Sequence, residues 1–426
     1  METRTIALFV VLLIVTNLAT GASMYYLFAP EAEPEEDVVK VGMVFGLTGV
    51  SAREGQTARA VYEMIINEIN EAGGVQSLGG MKIQPIFADH QWKPEVAAAE
   101  TERLITEEGV HAIFGCTWSG ITLPAAQKCE QYGVPMVCGD ASNPDLTDGR
   151  FDYFFRIVAN DDMFGKALFD YMNDIEEETG EPIETIAYLY EDSSFGAGCY
   201  AGWKVWNADP EIGGYEVVED LPYAKTIADA STEVLRLKTA DPDVILWAGY
   251  STDGLLFAQT FEDLDWLPKA ILTQNGVNKP DFIDGIAGTD RADYYLNVLS
   301  WNRDVAKAKS IEVRDQYEEI YGESAYTDVI GWYSSFYTFW QALEDAGSLD
   351  PDDIRDALSA IEIPASEIPS VGSVKFDENG QNINIGLVVT QFFNGTDESR
   401  AWSTVYPFDV AAEDAVFPMP SWQERP

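Results

Sequence analysis

From residue 38 onward, short apolar runs alternate with longer stretches in which apolar residues recur every three or four positions. The run at 39–45, VKVGMVF, is typical of a buried β-strand. In the stretch that follows it, Val61, Ile65 and Ile69 share one helical face. Two glycines at 73 and 74 end this predicted helix. The strand and the helix are the first pair of a series that continues along the chain.

Two series of alternating strands and helices are predicted, and they are separated near residue 158. In the first series, Pro85 places the second strand at the edge of a sheet. The second series ends in two long helices at 305–321 and 328–346, a shorter helix and a β-rich stretch. Such alternation predicts an α/β fold of two parallel-sheet lobes with helices on both faces. The predicted strands are 39–45, 82–88, 112–114, 134–137, 185–190, 215–219, 244–248, 270–273 and 295–299.

Small and polar residues follow the third and fourth predicted strands. Thr117-Trp118-Ser119-Gly120 comes after one strand, and Gly139-Asp140-Ala141-Ser142-Asn143 comes after the other. Ligands of parallel α/β sheets bind outside the carboxyl ends of the strands. The two clusters therefore predict a binding site at this edge of the sheet.

The N-terminal segment differs from the rest of the chain because residues 6–28 are almost wholly apolar. A helix of this length can span a bilayer. Thr20-Gly21-Ala22 is a candidate cleavage site, but the apolar run continues beyond it. We expect an N-terminal membrane anchor, or a signal segment, at 1–29 and an acidic linker at 30–37, with the remainder exported to the extracytoplasmic side of the membrane.

The composition is strongly acidic, with 72 Asp and Glu against 26 Lys and Arg and a net charge of −46. Nucleic acid is excluded as a partner, because its phosphates would be repelled. The acidic residues are spread along the chain, which indicates a solvated surface that stays soluble at high salt. We therefore expect the protein to come from a halophilic organism.

Common catalytic motifs are missing from the sequence. Its two histidines, His90 and His111, have no cysteine or carboxylate at a metal-ligand spacing. No phosphate-binding loop, dinucleotide-binding glycine motif or nucleophile elbow occurs. These absences argue against several enzyme classes, and we predict a non-enzyme that uses no metal and no cofactor.

The four cysteines leave two alternatives open. Cys116 and Cys138 would end the third and fourth strands, so a disulfide between them is possible if those strands are neighbours. Buried free thiols are the other alternative for these two and for Cys129 and Cys199. The triplet Asn394-Gly395-Thr396 is a candidate glycosylation site.

Five stretches carry a family resemblance: VKVGMVFGLTGVSAREG, AVYEMIINEINEAGGV, VHAIFGCTWSGITLPAAQKCEQYGVPMV, ASNPDLT and YEDSSFGAG. In this order they resemble the substrate-binding proteins of branched-chain amino acid ABC importers, over residues 38–408. The resemblance implies a type I periplasmic-binding-protein fold, in which two α/β lobes joined by three hinge crossovers close on a small ligand. It places lobe 1 at 38–158 plus 299–361, lobe 2 at 159–298 plus 362–410, and a C-terminal tail at 411–426.

The same resemblance implies ligand-binding residues in lobe 1. Ser119 stands where the family holds the ligand carboxylate with a hydroxyl, although a plain helix N-cap is an alternative role for it. The helix expected to begin at Gly120 adds free backbone N–H groups that suit an anion. Asp140 and Ser142 match the positions of a backbone carbonyl and a hydroxyl after the fourth strand, and turn formation is their alternative role.

Aromatic side chains are expected to complete the site. Phe195 and Tyr250 match aromatic lid residues of lobe 2 in the family, and their alternative roles are core packing at a helix start for Phe195 and an ordinary loop aromatic for Tyr250. Trp118 and Trp92 would add flat apolar walls, with ordinary packing as the alternative. Ligand pockets are mostly lined by such side chains with a few polar groups among them.

One departure from the family leaves the ligand open. Where members that bind amino acids often place a glutamate against the ligand ammonium, this chain has Asn275. Asp140 or Asp253 would then supply the charge, or the ligand would lack an ammonium and be an amide, a urea-like molecule or an organic acid.

The resemblance implies a monomeric solute-binding protein that delivers an amino acid of the branched-chain type, or a related small polar molecule, to the permease of an ABC importer. The N-terminal segment would tether it to the membrane. A sensory ectodomain of the same fold is the alternative function from another class.

Overall fold

A computed structural model describes residues 38–225, 227–305, 307–393 and 402–425. The predicted N-terminal anchor, the acidic linker and the candidate glycosylation triplet lie outside these residues. Among the helices within these ranges, none is both long enough and apolar enough to cross a membrane.

The first sheet contains β1 (Val39–Phe45), β2 (Ile83–Asp89), β3 (Ala112–Gly115), β4 (Met136–Cys138) and β5 (Phe154–Arg156). All its pairings are parallel, in the order β2-β1-β3-β4-β5. β2 forms one edge, as its proline predicts, because a proline has no N–H for a second neighbouring strand.

The second sheet contains β6 (Thr185–Glu191), β7 (Glu216–Tyr223), β8 (Val244–Ala248), β9 (Ala270–Gln274), β10 (Leu296–Leu299), β13 (Val388–Phe392) and β14 (Trp402–Tyr406). Its order is β14-β13-β10-β9-β8-β6-β7. The strands β6 to β10 are parallel, and β13 and β14 extend the sheet by antiparallel pairing. A separate ribbon pairs β11 (Glu362–Ile363) with β12 (Val374–Lys375).

The α-helices alternate with the strands as the apolar periodicity predicts, and the two long helices expected at 305–321 and 328–346 begin at Ala308 and Thr327. The α-helices are α1 Ala52–Glu71, α2 Pro94–Arg103, α3 Ser119–Tyr132, α4 Asp161–Thr179, α5 Ser194–Ala208, α6 Ser231–Ala240, α7 Ser251–Asp263, α8 Pro280–Ile286, α9 Ala308–Tyr321, α10 Thr327–Ala346 and α11 Pro351–Ala360.

Buried side chains divide the helices between the two sheets. Helices α1, α9, α10 and α11 share a core with β1 and β3, in which the Phe114 ring lies 5.0 Å from that of Phe336 and 5.3 Å from that of Phe339. Helices α2 and α3 cover the other face of the same sheet. We call this sheet with its helices the five-stranded half. The second sheet with α4 to α8 is the seven-stranded half.

The chain remains with the five-stranded half for longer than the resemblance implied. Ile363, Val374 and Phe376 lie in the core of that half, where the Phe376 ring is 5.2 Å from that of Phe155. The apolar side chains of the β11–β12 ribbon are buried there and not against the second sheet. Residues 362–376 were expected in the other lobe, and the structure corrects this expectation.

The four cysteines are free and buried. Cys138 ends β4, and Cys116 follows its neighbour β3, but no bond joins them. Burial raises the pKa of the Cys138 thiol to about 12, so this thiol stays protonated. Of the two alternatives for the cysteines, the structure therefore has the free thiols.

Candidate functional site

A cavity of about 430 Å³ lies between the two halves. Its wall on the five-stranded half includes residues that follow β3 and β4, among them Thr117, Gly139 and Asp140. Its wall on the seven-stranded half is formed largely by residues that follow β8, β9 and β10. The carboxyl ends of both parallel sheets therefore face one space, which is the usual place for a ligand in such sheets. The volume suits a small molecule.

Six of the eight residues expected at the site line this cavity, although they come from both halves and are distant in sequence. Asp140 and Ser142 follow β4, Asn275 follows β9, and the other three are aromatic. The six residues are Trp118, Asp140, Ser142, Phe195, Tyr250 and Asn275.

Ser119 and Gly120 are not among the lining residues. Helix α3 begins at Ser119 and not at Gly120, and Trp118 occupies the N-cap position without a side-chain hydrogen bond. The Ser119 side chain is 2% exposed, and its Oγ accepts a hydrogen bond from the backbone N–H of Asn143 at 3.2 Å. Ser119 therefore joins the loops that follow β3 and β4, and its hydroxyl does not form the cavity wall.

The aromatic residues stand in two pairs. The rings of Phe195 and Tyr250 are 5.5 Å apart, and those of Trp92 and Trp118 are 5.8 Å apart. The Nζ atom of Lys225 lies 4.5 Å from the centre of the Trp92 ring, which is a cation–π distance. All five side chains line the cavity, and Trp92 and Trp118 also pack against the core beneath α2 and α3.

Three residues of the cavity wall have left-handed backbone conformations, which residues other than glycine rarely adopt. They are Trp92 at φ 56°, Thr117 at φ 74° and Asn275 at φ 64°. Asparagine tolerates this region, whereas a β-branched threonine is strained there. Strained residues concentrate at ligand sites, where the surrounding structure holds them in place.

The cavity also contains ionisable residues that sequence reasoning missed. Lys279, just before α8, forms an ion pair with Asp328 in the first turn of α10, and Glu54 lies in the first turn of α1. Lys279 and Asp328 are only 8% and 7% exposed. An acidic residue in the first turn of a helix has an ordinary explanation in the helix dipole, so the sequence held no signal for its role here.

The carboxyls of Asp140 and Glu54 are half-buried in the wall and interact electrostatically. Burial, reinforced by the nearby charge of Asp328 and opposed by Lys279, raises the pKa of Asp140 from 3.8 to about 7. Burial likewise raises the pKa of Glu54 from 4.5 to about 7, and Lys279 opposes this shift. The Nε1 of Trp332 donates a hydrogen bond of 2.8 Å to Asp140 Oδ2.

Asp253 was also considered as a partner for a cationic ligand. It lines the cavity, but its carboxylate is hydrogen-bonded within the seven-stranded half, at the start of α7. Its Oδ2 accepts hydrogen bonds from the backbone N–H of Tyr250 and the hydroxyl of Tyr223, each at 3.2 Å. Burial raises the pKa of Asp253 to about 6. This carboxylate stabilises the start of α7 and has less capacity left for a ligand.

Further contacts at the rim join the two halves. Arg53 Nη1 in α1 lies 2.7 Å from Asp281 Oδ1 and 2.7 Å from Asp284 Oδ2, both in α8. Asn143 Nδ2 donates a hydrogen bond of 3.1 Å to Ser194 Oγ at the start of α5. Together with the Lys279–Asp328 pair, these contacts hold the walls of the cavity against each other.

Comparison with known proteins places this architecture in a family. A family model described as periplasmic binding protein matches residues 38–396. Leu/Ile/Val-binding protein homolog 8 of Brucella abortus (strain 2308) is 28% identical over 391 residues, covering 88% of this chain and 91% of the relative. Homolog 7 of the same organism is 28% identical over 390 residues, covering 89% and 94%.

Solved structures share the fold at lower identity. The branched-chain amino acid transporter substrate binding protein LivJ from Streptococcus pneumoniae, in complex with isoleucine, has a TM-score of 0.73 at 22% identity, covering 86% of this chain and 100% of that one. A solute binding protein of an ABC transporter from Rhodopseudomonas palustris BisB5, in complex with 3,4-dihydroxy benzoic acid, has a TM-score of 0.71 at 20% identity, covering 90% and 99%. With two α/β halves around a cavity and a family match over residues 38–396, the chain belongs to the periplasmic binding protein family and has its type I fold.

Proposed function

We propose that this protein is an extracytoplasmic solute-binding protein of an ABC importer. It captures a small polar molecule by closing its two halves and delivers that molecule to a permease. The ligand is an amino acid of the branched-chain type or a related molecule, as the names of the Leu/Ile/Val-binding relatives and the isoleucine complex of LivJ suggest.

The observation that carries this proposal is a cavity whose walls belong to different halves and are held together by contacts between them. Such contacts can form only when the two halves meet, so the described arrangement corresponds to a closed form. A ligand that touches both walls would stabilise this form over an open one, which is the thermodynamic basis of capture. Closure also removes water from the polar groups of the site and strengthens their hydrogen bonds to the ligand.

The hinges are proposed where the chain passes between the halves. The three passages lie between β5 and α4, at 299–301 after β10, and at 376–388 before β13. We further propose that residues 6–28 tether the monomeric protein to the membrane, which raises its effective concentration near the permease.

The test is a thermal-shift screen in concentrated KCl, followed by calorimetric titration, against amino acids, amides, urea and small organic acids. A ligand that binds only the native state raises the melting temperature, because about 2.7 kcal/mol of stability is gained at a hundred times its dissociation constant. We expect one class of compound to produce this rise. Absence of a shift with every class at millimolar concentration would contradict the proposal.

A further inference from the structure

The charges on the cavity wall do not balance. Five acidic residues and three basic residues line it, so the wall has an excess of two negative charges when all of them are ionised. The residues are Glu54, Asp140, Asp253, Asp281, Asp328, Arg53, Lys225 and Lys279.

Two of the three cations are already neutralised by carboxylates of the protein. Lys279 is paired with Asp328, and Arg53 is paired with Asp281 at 2.7 Å. The third, Lys225, is exposed and lies over the Trp92 ring. Within the described ranges, no cation of the protein lies at ion-pair distance from Glu54 or from Asp140.

Glu54 and Asp140 are therefore two carboxylates in a poorly solvated wall that lack an ion-pair partner, and the charge of Lys279, which is paired with Asp328, acts on both from beyond ion-pair distance. Asp140 accepts a hydrogen bond from Trp332 at Oδ2 and a long one of 3.9 Å from the Cys138 thiol at Oδ1, whereas no protein donor contacts the Glu54 carboxylate in the part of the chain that the structure describes. Charged groups in such surroundings are stable only when they are paired or when they take up a proton. A cation placed between the two carboxylates would remove this penalty.

Gln274 independently indicates a ligand that carries N–H donors. It lines the cavity at 2% exposure, and its Nε2 donates a hydrogen bond of 2.8 Å to Asp161 Oδ1. This bond fixes the orientation of the amide, and the Oε1 atom is left without a donor among the described residues. A buried acceptor without a partner costs about 1–3 kcal/mol, which a ligand with N–H donors would offset.

We infer that the ligand carries an ammonium group and that Glu54 and Asp140 bind it. The inference rests on the proposed function and narrows its ligand class, because it excludes compounds whose only charged groups are anionic. The five-stranded half then supplies the charge that the neutral Asn275 does not.

The test compares matched compounds by calorimetric titration of the full chain in concentrated KCl. Each common amino acid is measured beside the acid that lacks only its amino group and beside the amine that lacks only its carboxyl group. Among the compounds that bind, removal of the ammonium group should weaken binding by about tenfold or more, as for the loss of a hydrogen bond to a charged group.

Two variants locate the ammonium group. Glu54→Gln and Asp140→Asn should each weaken binding of the ammonium compound by about tenfold. Glu63→Gln is the matched control, because Glu63 lies on the same helix as Glu54 and pairs on the surface with Arg59 at 2.8 Å, so this change should leave affinity as it is.

Two outcomes would overturn the inference while the solute-binding function stands. One is an acid without an amino group that binds as tightly as its parent amino acid. The other is wild-type affinity in both cavity variants with unchanged circular dichroism. If no compound of the panel binds, the proposed function fails and the inference fails with it.

Discussion

Lys279 of the seven-stranded half forms an ion pair with Asp328 of the five-stranded half, and each residue is less than a tenth exposed. The pair joins two sheets that share no strand. Burial removes both charges from water, and the desolvation cost of each charge is offset only by its attraction to the other. The ion pair can therefore form only while the two halves are together. This relationship makes the closed arrangement sensitive to single substitutions.

Lys279→Met is expected to weaken ligand binding by about a hundredfold. Removal of one partner of a buried ion pair costs on the order of 3 kcal/mol, and this cost falls on the closed form, in which Asp328 would be left without a cation. Calorimetric titration of the best ligand measures the change. Lys375→Met is the control, since Lys375 pairs with Glu362 at the exposed surface of the five-stranded half and should matter little. Equal affinities of the two variants would contradict the role of the buried pair.

The pKa values of Asp140 and Glu54, raised from 3.8 and 4.5 to about 7, predict the direction of a pH effect. The native state keeps the protons of these two groups in the range between their ordinary and raised pKa values, where the unfolded chain has lost them. Stability therefore falls as the pH rises through this range, by up to about 1.4 kcal/mol per pH unit for each group. Lys279 opposes this effect, and Asp328 and Asp281 add to it.

Urea unfolding of the ligand-free protein at a series of pH values tests this prediction. The matched variant is Glu54→Gln combined with Asp140→Asn, which lacks both carboxyls but keeps the remaining surface charge. The wild type should lose stability relative to the variant as the pH rises from about 4 to about 7. If the unfolding free energies of the two proteins changed with pH in parallel, the pKa values of the two carboxyls would be ordinary and the prediction would be wrong.

Arg53→Ala is expected to accelerate ligand release in a manner that depends on salt. Arg53 links α1 to Asp281 and Asp284 of α8 across the rim, and its side chain is 41% exposed. Exposed ion pairs contribute about 0.2–1 kcal/mol, so release should become up to about fivefold faster at the lowest salt that keeps the protein folded. In molar salt the difference should vanish, because the Debye length falls to about 3 Å.

Stopped-flow measurement of ligand dissociation at both salt concentrations checks this prediction. Arg59→Ala is the control, because Arg59 pairs with Glu63 one turn further along the same helix and joins no second half. The prediction is wrong if the two variants release ligand at the same rate in low salt.

Ser142→Ala should mainly weaken ligand binding, whereas Ser119→Ala should mainly lower stability, although both serines were expected to contact the ligand. Ser142 lines the cavity, so its loss should weaken binding by about threefold to tenfold through one hydrogen bond. Ser119 lies behind the wall and accepts from Asn143, so its loss should lower the free energy of unfolding by about 1 kcal/mol, with a smaller change in affinity. Titration and urea unfolding of both variants separate the two effects, and an affinity loss confined to Ser119→Ala would reverse the assignment.

The order of strands and helices followed from apolar periodicity, because each element must bury one face regardless of what it packs against. The edge position of β2 followed from Pro85, and the meeting of the polar clusters after β3 and β4 followed from the rule for parallel sheets. These features depend on residues that are close in sequence.

Contacts between residues that are distant in sequence could not be predicted from these local patterns. The pairing of Lys279 with Asp328 depends on how the two sheets face each other. The placement of Glu54 beside Asp140 depends on how α1 packs near the loop after β4 within the five-stranded half, and no spacing along the chain encodes either geometry. Ser119 lies in the first turn of α3, and its hydroxyl accepts from the backbone of Asn143, a contact with a residue 24 positions away that local patterning does not encode. Local patterning therefore specified the architecture and the region of the site, whereas tertiary packing, both within the five-stranded half and between the halves, set the charges that a ligand would meet.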